Sequence, residues 1–360
     1  MRDDDVREKL AAILERHAEE EFFSGAALVE RGKDVLLSAA HGFAHRGFRI
    51  PNRVDTRFDS ASVTKLFTAA AAFRLVDAGL LDLDGRVLDM VDIGETRIPR
   101  EVTLRHCLTH SSGIGDDADE EEGEDYEEIW KARPCYMVRE TRDFLPQFAM
   151  KEPRFPPGTA CRYNNCAFVL VGLAMEERSG KPYRRIVEDE VFGPAGMRDS
   201  RFAAKDDAEQ DVAEGYASIE DDAGKPIGFR KNIFAYPPLG SPDAGAYTTV
   251  GDLRRFFAAI EGEDFLMPAS RAAFLSPVRR YSELRVGGER KMGYVLEHDY
   301  DESGELLRFG KDGVNPGVAA IAMRYPRRDG FVALLANQDA DVWSLCRELA
   351  AAAGLDAPAE

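Results

Sequence analysis

Basic residues are scarce relative to acidic ones, cysteines are few, and long apolar runs are missing; each shortage excludes a class of protein. Lys and Arg number 47 against 65 Asp and Glu, which leaves a formal charge of −18. Without a clustered basic surface, neither nucleic acid nor an anionic membrane is an expected partner, because both demand concentrated positive charge. No stretch of about 18 apolar residues occurs, so no spanning helix is expected. The cysteines are Cys107, Cys135, Cys161, Cys166 and Cys346, without CxxC spacing. That pattern argues against a zinc or disulfide framework and for buried free thiols. No HExxH, P-loop or dinucleotide fingerprint appears, so neither a metal nor a cofactor is expected. The first residues, MRDDDVREKL, lack the apolar core of a signal peptide, so cytoplasmic residence is the expectation.

What is present suits a large globular module. A chain of 360 residues buries roughly 75% of the surface its unfolded form exposes and needs no covalent staple. Val6 to Glu20 has an amphipathic helical pattern, and SGAALVERGKDVLLSAAHGFAHR predicts two strands around a turn at Arg31 to Asp34. KMGYVLEHDYDESGELLRFGKDG predicts a hairpin with its loop at Asp299 to Glu305. VAAIAMRYP and FVALLANQD predict further strands, separated by Pro326 to Asp329, before a last alanine-rich helix. Strands at both ends with helices between imply an α+β fold: an antiparallel sheet built from the N- and C-terminal segments and flanked by helices, with an inserted, mainly helical region. The expected organisation is one module over residues 1–360, its sheet-containing part at about 1–60 and 245–360 and its helical part at about 61–244. The run from Asp116 to Glu128, almost all Asp and Glu, is expected to form a solvated, mobile loop.

The stretch FDSASVTKLFTAAAAF sets Ser62 three residues before Lys65 at the start of a helical run. Positions i and i+3 share a helix face, so the Lys65 amine can meet the Ser62 hydroxyl. A serine hydroxyl becomes a nucleophile only when something takes its proton. The same spacing also arises in helices where the serine is only a cap, and the pair alone does not choose between them. His106 and His110 raise a Ser-His-Asp alternative, but no G-x-S-x-G accompanies them; His110, in LTHSSG, is expected to hydrogen-bond locally.

Further segments decide the matter. Tyr163-Asn164-Asn165 follows PPGTACR, and Lys311-Asp312-Gly313 precedes a strand. An S-x-x-K, then Y-x-N, then a late basic residue with glycine is the order of serine β-lactamases and penicillin-binding enzymes. FSGAALVERG, VTLRHCLTHSSGI, FPPGTACRYNNCAFVLVG, VFGPAGMRDS, AGAYTTVGDLRRF and GKDGVNPG also look like family segments in family order, over about residues 22–340. The chain resembles the class C β-lactamase-like serine hydrolases, a superfamily that includes D-alanyl-D-alanine peptidases, D-aminopeptidases and carboxylesterases, with the β-lactamase/transpeptidase-like fold.

The resemblance implies the roles. Ser62 forms an acyl-enzyme, Lys65 assists its deprotonation, and Tyr163 relays a proton to the leaving group. Ammonium groups of Lys65 and Lys311 would stabilise the Tyr163 phenolate. Asn165 orients Lys65 and donates to the substrate's acyl side chain. The backbone amides of Ser62 and Val314 form an oxyanion hole.

One departure bears on substrates. Relatives tend to carry K-T-G, whose lysine and hydroxyl recognise a carboxylate, whereas Asp312 and Gly313 follow Lys311 here. Facing the cleft, Asp312 would compete for Lys311 and repel an anionic substrate; strand alternation could equally turn it away. A flap formed by the acidic run near the cleft mouth would add to that field. The expected function is an esterase or amidase acting on small neutral or cationic ester, amide or peptide substrates. The alternatives are a D-peptidase, D-aminopeptidase or β-lactamase and, in another class, a non-catalytic binding protein of the same fold. The oligomeric state is left open.

Overall fold

The computed structural model describes residues 3–20, 22–118, 122–124, 126–222, 226–284 and 287–356. In chain order the elements that frame the site are α1 (Asp3–Glu19), β1 (Gly25–Arg31), β2 (Asp34–His41), α2 (Thr64–Asp77), α3 (Cys166–Ser179) and α4 (Val250–Glu261). The second group is β3 (Arg279–Glu283), β4 (Glu289–Met292), β5 (Glu297–Tyr300), β6 (Leu306–Asn315), β7 (Val318–Tyr325), β8 (Gly330–Ala336) and α5 (Val342–Ala352). The strands form one eight-stranded sheet in the order β2-β1-β8-β7-β6-β5-β4-β3, antiparallel at every step. The N-terminal hairpin closes on the last strand, so one sheet is built from both termini, as the sequence predicts.

Both faces of the sheet are covered, which explains why its central strands read as apolar runs and not as alternating ones. Side chains still alternate between two cores. Ala26, Leu28, Ala320, Ala322, Ala333 and Leu335 join Phe67, Phe73 and Phe257 on the side of α2 and α4. Ala27, Val29, Ile321, Met323, Val332 and Leu334 meet Leu10, Leu14, Leu345 and Leu349 of α1 and α5. The period of two sorts each strand's residues between these layers.

α2 is buried from Thr64 to Phe73, Lys65 included. Its four consecutive alanines combine high helix propensity with a slender profile, so neighbours can approach all round it. α3, CAFVLVGLAMEERS, lies beside it, likewise apolar around its first ten residues. It ends on Gly180, whose φ of 70° is the left-handed conformation that suits a glycine C-cap.

One expectation is corrected. The acidic run is not a solvated loop throughout: Asp116 and Asp117 are buried, and Asp116 accepts the backbone N–H groups of Asn165 and Cys166 at the start of α3. A carboxylate there complements the helix dipole. Residues 119–121 and 125 of the run lie outside the described residues, so the suggested flap is described only in part. The region expected to be mainly helical also carries a β-ribbon, Tyr216–Glu220 paired with Pro226–Lys231. The five cysteines are free, and all but the half-buried Cys161 are buried. Among the described residues, no helix is long and apolar enough to cross a membrane.

Candidate active site

Ser62 lies in a single 3-10 turn, Ala61–Val63, immediately before α2. A short antiparallel pairing of Phe58–Asp59 with Tyr247–Thr248 delivers the chain to that turn. Ser60 then anchors it through its backbone N–H and its hydroxyl, both donating to the Ala246 carbonyl. Ala61 adopts φ 44°, a left-handed conformation that costs a non-glycine residue roughly 1–2 kcal/mol. Such strain persists where surrounding structure enforces it, often at functional sites. Ser62 is not a helix cap. The turn is preceded by Ser60 and α2 by Val63, neither with a side-chain cap.

The Ser62 hydroxyl instead meets Lys65. Lys65 Nζ is 3.0 Å from Ser62 Oγ, 2.7 Å from Asn165 Oδ1 and 2.8 Å from the Asp243 carbonyl oxygen. Asn165 Oδ1 and the carbonyl can only accept, so each takes an N–H from Lys65. The remaining tetrahedral position of the nitrogen faces Ser62. A neutral amine would keep both anchors and turn its lone pair to the Ser62 O–H, so this geometry suits a base.

Tyr163 lies between two lysines. The Nζ atoms of Lys65 and Lys311 are each 5.0 Å from its ring centroid. His110 stacks on the same ring, centroids 4.6 Å apart, and its Nδ1 accepts the Asn164 N–H at 3.1 Å. Burial, with Lys65 and Lys311 adding to it, pushes the His110 pKa well below the usual imidazole value. A neutral ring that stacks and accepts is a support for Tyr163. His106 Nδ1 accepts the Thr103 N–H in a capping box, whereas His110, expected to bond locally, reaches the Tyr163 segment through the Asn164 N–H.

Lys311 is buried, not a surface lysine. It donates to Glu297 Oε1 at 2.7 Å and Asp312 Oδ1 at 2.9 Å. Burial opposes its charge, but Asp312 and Glu297 outweigh this and hold its pKa well above the ordinary lysine value. Asp312 does both things the sequence left open. Opposite Ile321 in the β6–β7 register, it emerges on the α5 face, where Trp343 Nε1 donates to Oδ2. Its other oxygen reaches Lys311 at the cleft wall. Burial raises the Asp312 pKa, and Lys311 more than reverses that.

Glu297 was not anticipated. Its second oxygen accepts from Arg290 Nη1 at 2.6 Å, and Arg290 also binds Asp299 at 2.6 Å. The signal was present in Glu297-His298-Asp299, three polar residues in a row on a strand beside the KDG strand, all buried here.

These groups line a cleft of about 280 Å³ that Ser62, Tyr163, Lys311, Gly313 and Val314 share with Arg290 and Glu297. Gly313 puts the β6 backbone directly against the Ser62 turn: a Cβ there would lie 2.9 Å from the Val63 nitrogen. A larger cavity of about 420 Å³, bordered by Arg53, Lys205 and Glu214, contains none of these residues. The sequence-predicted residues therefore converge on the smaller cleft.

Lys205 gives a separate prediction. Burial drives its pKa down from 10.5 to about 7, with Asp59 and Cys135 opposing. Above that value the folded protein sheds the proton, while the unfolded chain keeps it until about 10.5. The unfolded state then binds more protons, so stability rises with pH, by about 2 kcal/mol between roughly pH 7 and 9. Urea unfolding at these pH values will show the slope in the wild type, and Lys205→Met will flatten it; equal slopes would contradict the assignment.

The comparisons with known proteins agree with this geometry. The family model described as Beta-lactamase matches residues 10–355. Penicillin-binding protein 4* of Bacillus subtilis (strain 168) is 25% identical over 342 residues, covering 93% of this chain and 72% of that protein. Esterase EstB of Burkholderia gladioli is 29% identical over 310 residues, 79% of this chain and 76% of the esterase. The crystal structure of a penicillin-binding protein from Bacillus halodurans superposes with a TM-score of 0.86 at 35% identity, covering 95% of this chain and 99% of that one. With a family match over nearly its whole length and an S-x-x-K pair in hydrogen-bond contact, the chain belongs to the beta-lactamase family.

Proposed function

We propose that this serine hydrolase cleaves small uncharged or cationic esters or amides through an acyl-Ser62 intermediate. Lys65 takes the Ser62 proton, Tyr163 carries it to the leaving group, Asn165 holds Lys65, and the Ser62 and Val314 amides receive the carbonyl oxygen. Esterase EstB and a D-aminopeptidase of Cereibacter sphaeroides among the relatives support ester and amide chemistry.

One observation carries the substrate class: Lys311, the cation that would receive a substrate carboxylate, is bonded to two carboxylates. Those carboxylates are themselves held by Arg290 and Trp343. An anionic substrate must displace an intact ion pair and face Asp312 and Glu297. Breaking such an arrangement in a desolvated cleft costs several kcal/mol.

Steady-state hydrolysis of p-nitrophenyl butyrate and nitrocefin tests this. The butyrate ester will have the higher kcat/KM. Glu297→Gln removes one of the two negative charges on Lys311 while leaving Arg290 on Asp299, and will shift the preference toward nitrocefin about tenfold, or ~1.4 kcal/mol. Efficient penicillin turnover in preference to neutral esters would sink the proposal and favour a penicillin-binding or β-lactamase activity, as the similarity to the Bacillus halodurans protein suggests.

A further inference from the structure

A buried polar network lies beneath the nucleophile turn, and no step of acyl transfer described above uses it. Asp59 is 5% exposed. Its Oδ1 accepts the N–H of the left-handed Ala61 at 2.8 Å. Its Oδ2 accepts the Tyr236 hydroxyl at 2.9 Å. That hydroxyl accepts from Asn232 Nδ2 at 3.0 Å, and Asn232 Nδ2 also donates to the Pro316 carbonyl at 2.9 Å. Lys205 completes the set: its Nζ, with no hydrogen-bond partner, lies 4.0 Å from Asp59 Oδ2 and 2.7 Å from the Tyr236 ring centroid.

The two ends of this network are informative. Ala61 precedes the Ser62 amide, and its φ aims the peptide that carries it. Pro316 is two residues beyond Val314, in the turn joining β6 to β7. The network therefore ties together the two backbone segments that would form the oxyanion hole, which come from opposite ends of the sequence. A buried carboxylate is kept only when its lone pairs are satisfied, and here one oxygen goes to each arm.

We propose that Asp59 is a positioning residue for acyl transfer: through Ala61 on one side and Tyr236, Asn232 and Pro316 on the other, it holds the Ser62 and Val314 amides in register around the reacting carbonyl oxygen. The proposal rests on the reading of Ser62 as nucleophile. It explains why a strained alanine is tolerated before Ser62, since the Asp59 bond to its N–H opposes relaxation.

The test uses Asp59→Ala, Asp59→Asn and Tyr236→Phe in the full chain. The readouts are kcat and KM for p-nitrophenyl butyrate, inhibition by a small alkyl boronic acid, and Tm. Boronate adds to a serine to give a tetrahedral adduct with an oxygen in the same hole, so it reports the donors directly. Asp59→Ala will lose about 100-fold in kcat, with KM within about twofold and boronate inhibition weakened in parallel. Asp59→Asn keeps an acceptor for Ala61 and will recover most of that loss. Tyr236→Phe, which removes only one arm, will lose about tenfold in kcat. Folded Asp59→Ala with wild-type kcat and boronate affinity overturns the proposal; should that variant not fold, wild-type values for Tyr236→Phe overturn it equally. Reaction of the wild type with a fluorophosphonate, located by peptide mapping, separates the two failures, since absence of label on Ser62 would remove the nucleophile reading itself.

Discussion

Ser62→Ala will lower hydrolysis of p-nitrophenyl butyrate by about 10⁴-fold or more, the scale seen when a nucleophile acting with its base is removed. Lys65→Met will fall by a comparable factor, and the double variant will be little worse than either, because a nucleophile and its base work as a unit. The 3.0 Å contact between Lys65 Nζ and Ser62 Oγ is the reason to expect this coupling. The two variants will differ in stability. Ser62→Ala removes a hydroxyl at the cleft surface, whereas Lys65→Met takes away the buried hydrogen bonds that Lys65 gives to Asn165 Oδ1 and the Asp243 carbonyl. Losing a buried hydrogen bond of this kind costs about 1–3 kcal/mol. Kinetics with nitrocefin alongside the ester, and chemical unfolding of both variants, check these statements. An unchanged rate in Ser62→Ala would show that the hydrolysis does not pass through this serine. A stoichiometric nitrocefin burst in the wild type would instead place the activity among penicillin-binding enzymes.

The strands and the Ser62 helix were legible because their signals are local. GAALVER and VAAIAMRY carry β-branched and small apolar residues bounded by turns, and TKLFTAAAAF carries helix propensity that packing reinforces. The candidate catalytic set was proposed for another reason: Ser62, Lys65, Tyr163 and Lys311 form an ordered series that only a family resemblance links, since nothing local connects residue 62 to residue 311. What escaped was set by tertiary contact. Glu297 is an ordinary glutamate until β5 pairs with β6 and brings it to Lys311, with Glu297 opposite Gly310. Asp116 reads as one acid among many in its run, and becomes a cap only because the start of α3 docks beside it. The direction of Asp312 could not follow from strand alternation alone, because adjacent side chains leave opposite faces and yet, at the cleft wall, its carboxylate bends back to its neighbour's amine. Asp59 likewise shows its purpose only once the left-handed conformation of Ala61 is known.

Gly313→Ala will cost about 10²–10³-fold in kcat, the loss that follows from displacing an oxyanion donor, although it adds only one methyl group. Its Cβ would stand 2.9 Å from the Val63 nitrogen and 3.0 Å from Ser62 Cα, and closer still to the Ser62 nitrogen. All three atoms are backbone, so no side-chain rotation can relieve the clash. Either β6 moves away from the Ser62 turn or the turn itself moves, and both separate the Ser62 and Val314 amides. Overpacking of this kind also destabilises, by about 1–3 kcal/mol, so a control must separate the two effects. Gly304 supplies it: at φ +82°, with nothing within 4 Å of its would-be Cβ, it lies in the loop before β6. Gly304→Ala will lose about 1–2 kcal/mol of stability from backbone strain while keeping wild-type kcat. If both alanine variants lose stability and only Gly313→Ala loses turnover and boronate binding, the close approach of β6 to Ser62 serves the chemistry. Wild-type kcat in a folded Gly313→Ala protein would show that the amide beside it takes no part.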